Sequence, residues 1–210
     1  RDPADYTRHT SRHIRFGSVN SSQPSRSWGR SGLPPYAIPD ASHFREKTMK
    51  RPDCIRHWRE LEGADDSTYP DSTELFSIGA PLARGLRLNR LGIHHERLPP
   101  GRRTSYPHAE SDEEEFIYVL DGYPEVWING YLWKLEPGDS VGFPAGTGIC
   151  HTFLNNTEQE VRLLVVGEAN KKFNRIYYPL NPGYAATRQD RWVDHPPQFF
   201  GPHDGKPRKI

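Results

Sequence analysis

The chain has 210 residues, 34% of them hydrophobic, and a formal net charge of +1 at pH 7. This length fits one domain of ordinary size with extensions, and the near-zero charge gives no reason to expect a nucleic-acid-binding protein. No apolar run approaches the roughly 20 residues that a membrane-spanning helix needs, so we expect no membrane association.

The N-terminal part is unlike a folded core. Residues 1–39 are rich in Ser, Arg and Pro, which predicts an irregular or flexible arm. Such a basic arm could meet an anionic partner, but a solvated terminus or packing on a sister subunit is favoured. Residues 40–73 predict a short helical segment and a loop, with a helical turn over 40–50 and a helix from Pro52 to Leu61.

From residue 74 to residue 180 the pattern changes to short β-forming runs separated by turns, which is typical of an antiparallel barrel or sandwich. Asn129-Gly130 is the clearest signal, because Asn-Gly between two β-rich runs is typical of a type I′ hairpin turn. Pro137-Gly138-Asp139 predicts a second turn. The predicted β runs are Leu75–Ile78, Leu86–Leu91, Gly92–Leu98, Phe116–Leu120, Val126–Trp133, Val141–Phe143, Thr152–Leu154 and Val161–Val166.

Residues 181–210 form a Pro-rich tail. We expect it to pack on the barrel or on a partner.

Two groups of His, Glu, Gly and Asn residues recur at defined spacings in the β region. The first group is His108, Glu110, Glu115 and Gly122. The second is Gly138, Pro144, Gly146, His151 and Asn155.

These groups resemble the two motifs of the cupin superfamily, in its small single-domain type. In the first motif Glu110 stands where the family has a second His. In the second motif the gap before His151 is two residues longer than usual, unless Gly148 rather than Gly146 supplies the glycine. The resemblance covers about residues 86–167. It implies a cupin-type antiparallel β-barrel (a double-stranded β-helix, or jelly roll) and one divalent metal ion: Fe, Mn, Ni or Zn.

The physical chemistry agrees with this resemblance. His108 and Glu110 are two positions apart and would face the same way on a strand. Imidazole and carboxylate together suit a borderline divalent ion. The predicted metal ligands are His108, Glu110, Glu115 and His151. Glu110 could instead be a base beside the metal. If Glu115 is not the carboxylate ligand, Glu114 is the alternative. The predicted catalytic residues are Glu110 and Glu115.

Aromatic and polar residues near the motifs are expected to form the pocket wall. About half of the aromatic residues should face inward by strand alternation. Arg97, Arg102 and Arg103 could hold a substrate carboxylate or could be surface residues. The predicted pocket residues are Tyr106, Tyr118, Trp127, Phe143, Phe153 and Asn155.

The function expected first is that of a metal-dependent, dioxygenase-like enzyme acting on a small organic acid or phenolic compound. One alternative is a non-enzymatic protein that binds or senses a small molecule or metal, and another is a cupin-type isomerase or lyase. A third is a structural dimer in which the metal only stabilises the barrel. The expected partners are a small-molecule ligand and, from the family resemblance, a second copy in a homodimer.

Cys54 and Cys150 are the only two cysteines. They make no disulfide framework, so a reducing, cytoplasmic location is expected. Because the chain starts at Arg1 rather than Met, we expect a processed or truncated N-terminus.

Overall fold

The computed structural model describes residues 50–208. The predicted arm over residues 1–39 and nearly all of the predicted helical turn over 40–50 lie outside this range. Within it, strands in antiparallel sheets dominate, so the predicted antiparallel all-β class is confirmed.

The larger sheet has five strands in the order β1-β2-β9-β4-β7, and each strand is antiparallel to its neighbours. These strands are β1 (Ile78–Pro81), β2 (Leu91–Leu98), β4 (Glu115–Asp121), β7 (Ser140–Phe143) and β9 (Val161–Glu168).

The smaller sheet has the order β6-β5-β8, and a separate two-stranded ladder joins β3 to β10. The strands are β3 (Ala109–Glu110), β5 (Glu125–Ile128), β6 (Tyr131–Lys134), β8 (His151–Leu154) and β10 (Ile176–Tyr177). The two short helices of the described part are α1 (Leu82–Gly85) and α2 (Pro182–Ala186).

The main core lies between the two larger sheets. Alternate residues of each strand point inward, so Ile117 and Leu163 from the five-stranded sheet meet Val126 and Phe153 from the three-stranded sheet. All four are at most 2% exposed. Phe143 belongs to the same core and stacks on His151, so the polar motif lies directly against this core.

Three local predictions are wrong. Of the run Leu75–Ile78, which was expected as a strand, only Ile78 belongs to β1. The segment from Pro52 to Leu61 contains only a 3-10 turn at Trp58–Glu60. Isolated short helices are marginal in water, and here Trp58 stacks on His95 of β2 with ring centroids 4.2 Å apart, so tertiary packing sets the conformation. The run Leu86–Leu91 was expected as a strand, but its first five residues follow α1 as a loop and β2 begins only at Leu91.

The turn predictions are confirmed. Ile128 pairs with Tyr131, and between them Asn129 and Gly130 have φ values of 45° and 90°, as a type I′ turn requires. Gly138 also has a positive φ, of 104°, and the Asp139 amide donates to the Glu136 carbonyl.

The C-terminal segment lies along the barrel. The Gly201 amide donates to the Asn129 carbonyl, and the His203 amide to the Gly130 carbonyl. The Trp127 indole Nε1 donates to the His203 carbonyl at 2.8 Å. Within residues 50–208, none of the helices has the length and apolar character to cross a membrane.

Candidate metal centre

His108 and His151 form a direct cross-strand pair. The His108 amide donates to the His151 carbonyl at 3.1 Å, and the His151 amide donates back at 2.9 Å. His151 opens β8, while His108 immediately precedes β3. Residues directly opposite on antiparallel strands bring their Cβ atoms close together on one face, so the pairing places both imidazoles side by side.

Glu115 adds a carboxylate from the start of β4. Its Oε2 lies 2.7 Å from His151 Nε2 and 3.7 Å from His108 Nε2. One ligand atom from each of the three residues lies within 4.8 Å of the other two. Ligands held about 2.0–2.2 Å from one ion lie no more than roughly 4.4 Å apart, so the three side chains fit a metal ion with little adjustment.

A hydrogen bond to the backbone fixes the orientation of the His108 ring. Its Nδ1 lies 2.9 Å from the Tyr106 carbonyl oxygen, and a carbonyl can only accept, so Nδ1 carries the proton. The unprotonated Nε2 then faces Glu115 and His151. Metal-ligating histidines usually have their second nitrogen held in this way.

His151 is held by packing instead. Its ring stacks on Phe143 with the centroids 3.5 Å apart. Its Nδ1 is buried and has no hydrogen-bond partner among the described residues. The aromatic stack therefore fixes the ring plane, and Nε2 is the nitrogen that reaches the Glu115 carboxylate.

The protonation states of His108 and Glu115 suit metal binding, and a bound ion would displace the proton of the His151–Glu115 hydrogen bond. Desolvation lowers the pKa of His108, and the neighbouring His151 lowers it further, so the neutral imidazole is favoured. Burial alone would raise the pKa of Glu115, but its hydrogen bond and its charge interaction with His151 outweigh that effect and lower the pKa to about 2. Neutral imidazole and ionised carboxylate are the forms that bind a metal.

A cavity of about 100 Å³ opens onto these three side chains. Apolar residues and hydroxyl or carboxyl groups share the rest of its wall, and no Arg or Lys is among the described residues that line it. The wall beyond the three candidate ligands consists of Glu96, Thr104, Ser105, Ile117, Phe153 and Val165.

Glu96 is a functional candidate that the sequence analysis missed. It lies on β2, and its Oε2 accepts a 2.6 Å hydrogen bond from the Ser77 hydroxyl. Desolvation raises the pKa of Glu96, the Ser77 hydrogen bond partly opposes the rise, and the charge of Glu115 adds to it. Alternation along β2 could have flagged Glu96, because it shares its face with the buried Leu98.

Glu110, predicted as a ligand or base, lies beside the site but not in the group of three. Its Oε1 is 3.9 Å from His108 Nε2. Its other oxygen accepts a hydrogen bond from the Asn174 side chain, and Glu110 does not line the 100 Å³ cavity. Glu114, the fallback for Glu115, is exposed, which leaves Glu115 as the carboxylate that reaches the histidines.

The predicted pocket residues separate into two groups. Phe153 lines the cavity, and Phe143 supports His151 from outside it. The other four do not line the cavity, because strand parity and loop geometry point their side chains away from it.

Two of these four lie on strands: Tyr118 is 38% exposed on the outer face of β4, and Trp127 is fully buried in a separate core. The other two lie outside the strands. Tyr106 packs on Tyr69 and Phe76, and the Asn155 side-chain amide donates to the Leu98 and Gln159 carbonyls.

The three arginines considered for carboxylate binding are all engaged by acidic side chains. Arg97 pairs with Glu62 and Glu160, and Arg102 pairs with Asp65. Arg103 is 2% exposed and binds Glu74. They therefore tie segments of the chain together and do not line the cavity.

Comparison with known proteins finds a family match in the central region of the chain. The family model described as "Cupin domain" matches residues 94–167. This range contains all three residues of the candidate metal centre and Glu96. No curated protein matches the chain.

Several solved structures are similar over part of the chain. A putative sugar phosphate isomerase from Acidithiobacillus ferrooxidans is 28% identical with a TM-score of 0.47, and the match covers 49% of this chain and 65% of that one. A sugar phosphate isomerase of the cupin superfamily from Silicibacter pomeroyi is 29% identical with a TM-score of 0.47, and the match covers 49% and 64%.

The polyketide cyclase RemF from Streptomyces resistomycificus is 22% identical with a TM-score of 0.49, and the match covers 68% of this chain and 95% of that one. The chain thus spans slightly less than two thirds of the two isomerase structures. With TM-scores below 0.5, these similarities carry no information on the activity of this chain.

Proposed function

We propose that the chain, whose residues 94–167 form a cupin domain, is a metal-dependent enzyme acting on a small organic acid. One observation carries this proposal: His108, Glu115 and His151 converge from three separate segments, and their ligand atoms lie within 4.8 Å of one another. Two imidazoles and a carboxylate are a common ligand set for Fe, Mn, Ni or Zn.

A bound divalent ion would supply Lewis acidity or, in the case of iron, oxygen chemistry. Contacts within the chain orient both histidine side chains for binding such an ion. The Tyr106 carbonyl holds the His108 ring so that Nε2 is free, and Phe143 fixes the His151 ring plane. Dioxygenase-like activity is the form of this proposal that the ligand set favours.

The cavity favours a small acid over a phenolic compound. Its volume is about 100 Å³, whereas a cavity that accommodates benzene measures roughly 150 Å³. A substrate phosphate is also disfavoured, because the described lining residues include no Arg or Lys to neutralise a dianion. A monoanion of a few heavy atoms fits both limits.

An isomerase or lyase of cupin type is the second candidate. Glu96 supports it, because this carboxyl lines the same cavity as the candidate ligands without being one of them. Isomerases and lyases need a group that takes up and returns a proton next to the substrate. Retention of activity without molecular oxygen would favour this candidate over the oxygenase.

Metal content tests the proposal first. The wild-type protein and a His108→Ala/His151→Ala double variant are compared by elemental mass spectrometry. His57→Ala is the control, because His57 is an exposed N-cap of the 3-10 turn and is not one of the candidate ligands. We expect near-stoichiometric Fe, Mn, Ni or Zn in the wild type and the control, and loss of it in the double variant. A wild-type protein that takes up no metal on reconstitution contradicts the proposal and favours a metal-free binding protein.

We also propose a homodimer, on the family resemblance alone. Size-exclusion chromatography with light scattering measures the mass directly. The chain mass is 24.1 kDa, so a particle of about twice that mass is expected, and a monomer at micromolar concentration contradicts the proposal.

A further inference from the structure

The polar residues that line the cavity form two sets. His108, Glu115 and His151 are the candidate metal ligands. The other polar lining groups come from Glu96, Thr104 and Ser105. Among the described lining residues, Glu96 is the only carboxyl outside the candidate ligands.

A hydrogen bond from Ser77 positions the Glu96 carboxyl group. Ser77 is 7% exposed and donates to Glu96 Oε2 at 2.6 Å. The other oxygen of Glu96 has no hydrogen-bond partner in the described part of the chain. A carboxyl group has acceptor capacity in both protonation states, so this oxygen is available to a ligand in the cavity.

The two hydroxyls differ from Glu96 in what they offer a ligand. The Thr104 hydroxyl accepts from the Phe153 amide at 3.1 Å and lies 3.4 Å from the Thr152 hydroxyl. The Ser105 hydroxyl lies 3.3 Å from His108 Nδ1, whose proton goes to the Tyr106 carbonyl, so Ser105 keeps a proton to donate. Among these other polar lining groups, Glu96 is therefore the carboxyl that offers a ligand hydroxyl an acceptor oxygen.

We infer that Glu96 recognises the hydroxyl group of a small hydroxy acid whose carboxylate lies on the side of His108, Glu115 and His151. This inference rests on the proposed function and narrows its substrate class. An acid of a few heavy atoms, as in glycolate, fits within the cavity volume of about 100 Å³. A second anionic group on the ligand would face the carboxyls of Glu96 and Glu115, so a monocarboxylic acid is favoured over a dicarboxylic one.

The test uses Co²⁺-loaded protein, whose visible absorption changes when a ligand enters the site. Glycolate and acetate are titrated at pH 7 into the wild type, Glu96→Leu and Glu96→Gln, with Glu158→Gln as the control because Glu158 is exposed. Glycolate and acetate differ by one hydroxyl, so the ratio of their dissociation constants isolates the contribution of that group. Chelation by the metal also favours glycolate over acetate. This contribution is the same in all variants, so it cancels when their ratios of dissociation constants are compared.

In Glu96→Leu we expect the preference for glycolate to fall about tenfold, the effect of losing one hydrogen bond, with acetate affinity unchanged within about twofold. Glu96→Gln keeps an acceptor oxygen and should lose about threefold. The Glu158→Gln control should match the wild type.

An unchanged preference in both Glu96 variants overturns the inference, as does the absence of glycolate binding to metal-loaded wild type. If Glu96→Leu does not fold or bind Co²⁺, the Glu96→Gln titration alone decides. Failure of the proposed function looks different: the wild type then takes up no metal, and the titrations cannot begin.

Discussion

At the scale of single residues, the acidic run from Asp112 to Glu115 shows how position within a strand separates similar side chains. Glu114 and Glu115 are adjacent, yet Glu114 is exposed and Glu115 reaches both histidines. Alternation along β4 explains the difference, because successive side chains point to opposite faces. Composition alone describes the run as a solvated face, and only register identifies the inward carboxylate.

This contrast makes Glu115→Gln a direct test of the ligand assignment. The amide preserves the side-chain shape but removes the negative charge, so we expect Zn²⁺ affinity to fall at least tenfold. Competition with a chromophoric chelator at pH 7 measures it. Glu114→Gln is the matched control and should change affinity less than twofold. Equal effects in the two variants would falsify the assignment.

Glu113 predicts how stability depends on pH. Burial raises its pKa to about 8, and the nearby Glu110 contributes to the rise. A carboxyl whose folded-state pKa lies above its ordinary value of 4.5 stabilises the fold at low pH, and this contribution is lost as pH rises from about 4.5 through 8. In the metal-free protein, the contribution of Glu113 to thermal stability should therefore fall across this window.

Glu113→Gln removes that titration. Its melting temperature relative to wild type should be higher at pH 8.5 than at pH 5, as measured by circular dichroism in the presence of a chelator. Glu158→Gln, at an exposed position, should run parallel to the wild type. Parallel curves for Glu113→Gln as well would mean that Glu113 titrates normally in the folded protein.

At the scale of elements, turns were predictable and the helix was not. Asn129 and Gly130 adopt the positive φ that their type permits, so local chemistry decides the hairpin. The segment from Pro52 to Leu61 has a helical apolar pattern, but Trp58 is drawn onto His95. That contact joins residues 37 positions apart, which a local pattern does not contain.

Gly130 is constrained both by its own backbone and by the C-terminal segment. A Cβ atom there would lie 2.3 Å from the Gly201 amide nitrogen, whereas a Cβ on Gly138 would meet nothing within 4 Å. Both glycines have positive φ. Gly138→Ala should therefore cost only backbone strain, about 1–3 kcal/mol.

Gly130→Ala should cost about 1–3 kcal/mol more than Gly138→Ala, because overpacking against the Gly201 backbone adds to the strain. Urea unfolding followed by tryptophan fluorescence gives both free energies. Equal losses would show that the C-terminal segment moves aside freely.

At the scale of the whole molecule, the candidate metal centre could be predicted from the sequence better than the cavity around it. His108, Glu115 and His151 lie in motifs with fixed spacing, so their convergence could be predicted. Glu96 and Ser77 are joined only through the antiparallel register of β1 and β2, in which Ile78 pairs with Arg97. The inward or outward direction of Tyr118 and Trp127 likewise depends on register, which composition does not specify.

Arg103 links three parts of the chain at once. Its guanidinium binds both oxygens of Glu74 at 2.7 Å and donates to the Gly205 carbonyl at 2.8 Å. It thus joins the segment before β1, the loop that precedes His108 and the C-terminal segment. Buried Arg–carboxylate pairs of this bidentate kind are specific to arginine, because lysine offers a single ammonium.

Arg103→Lys should therefore destabilise the protein by about 1–3 kcal/mol, since a single ammonium cannot bind both Glu74 oxygens and the Gly205 carbonyl and so leaves at least one of these acceptors without its partner. Arg102→Lys is the matched control, because Arg102 is adjacent in sequence and also pairs with a carboxylate, that of Asp65. Asp65 is 49% exposed, so water can replace the lost contact, and the free energy of unfolding should fall clearly less. Urea unfolding measures both variants, and limited proteolysis reports on the C-terminal segment. If Arg103 holds the C-terminal segment on the barrel, we expect faster cleavage after residue 195 in Arg103→Lys than in Arg102→Lys. Equal cleavage would mean that Trp127 and the Asn129–Gly130 hairpin hold this segment instead.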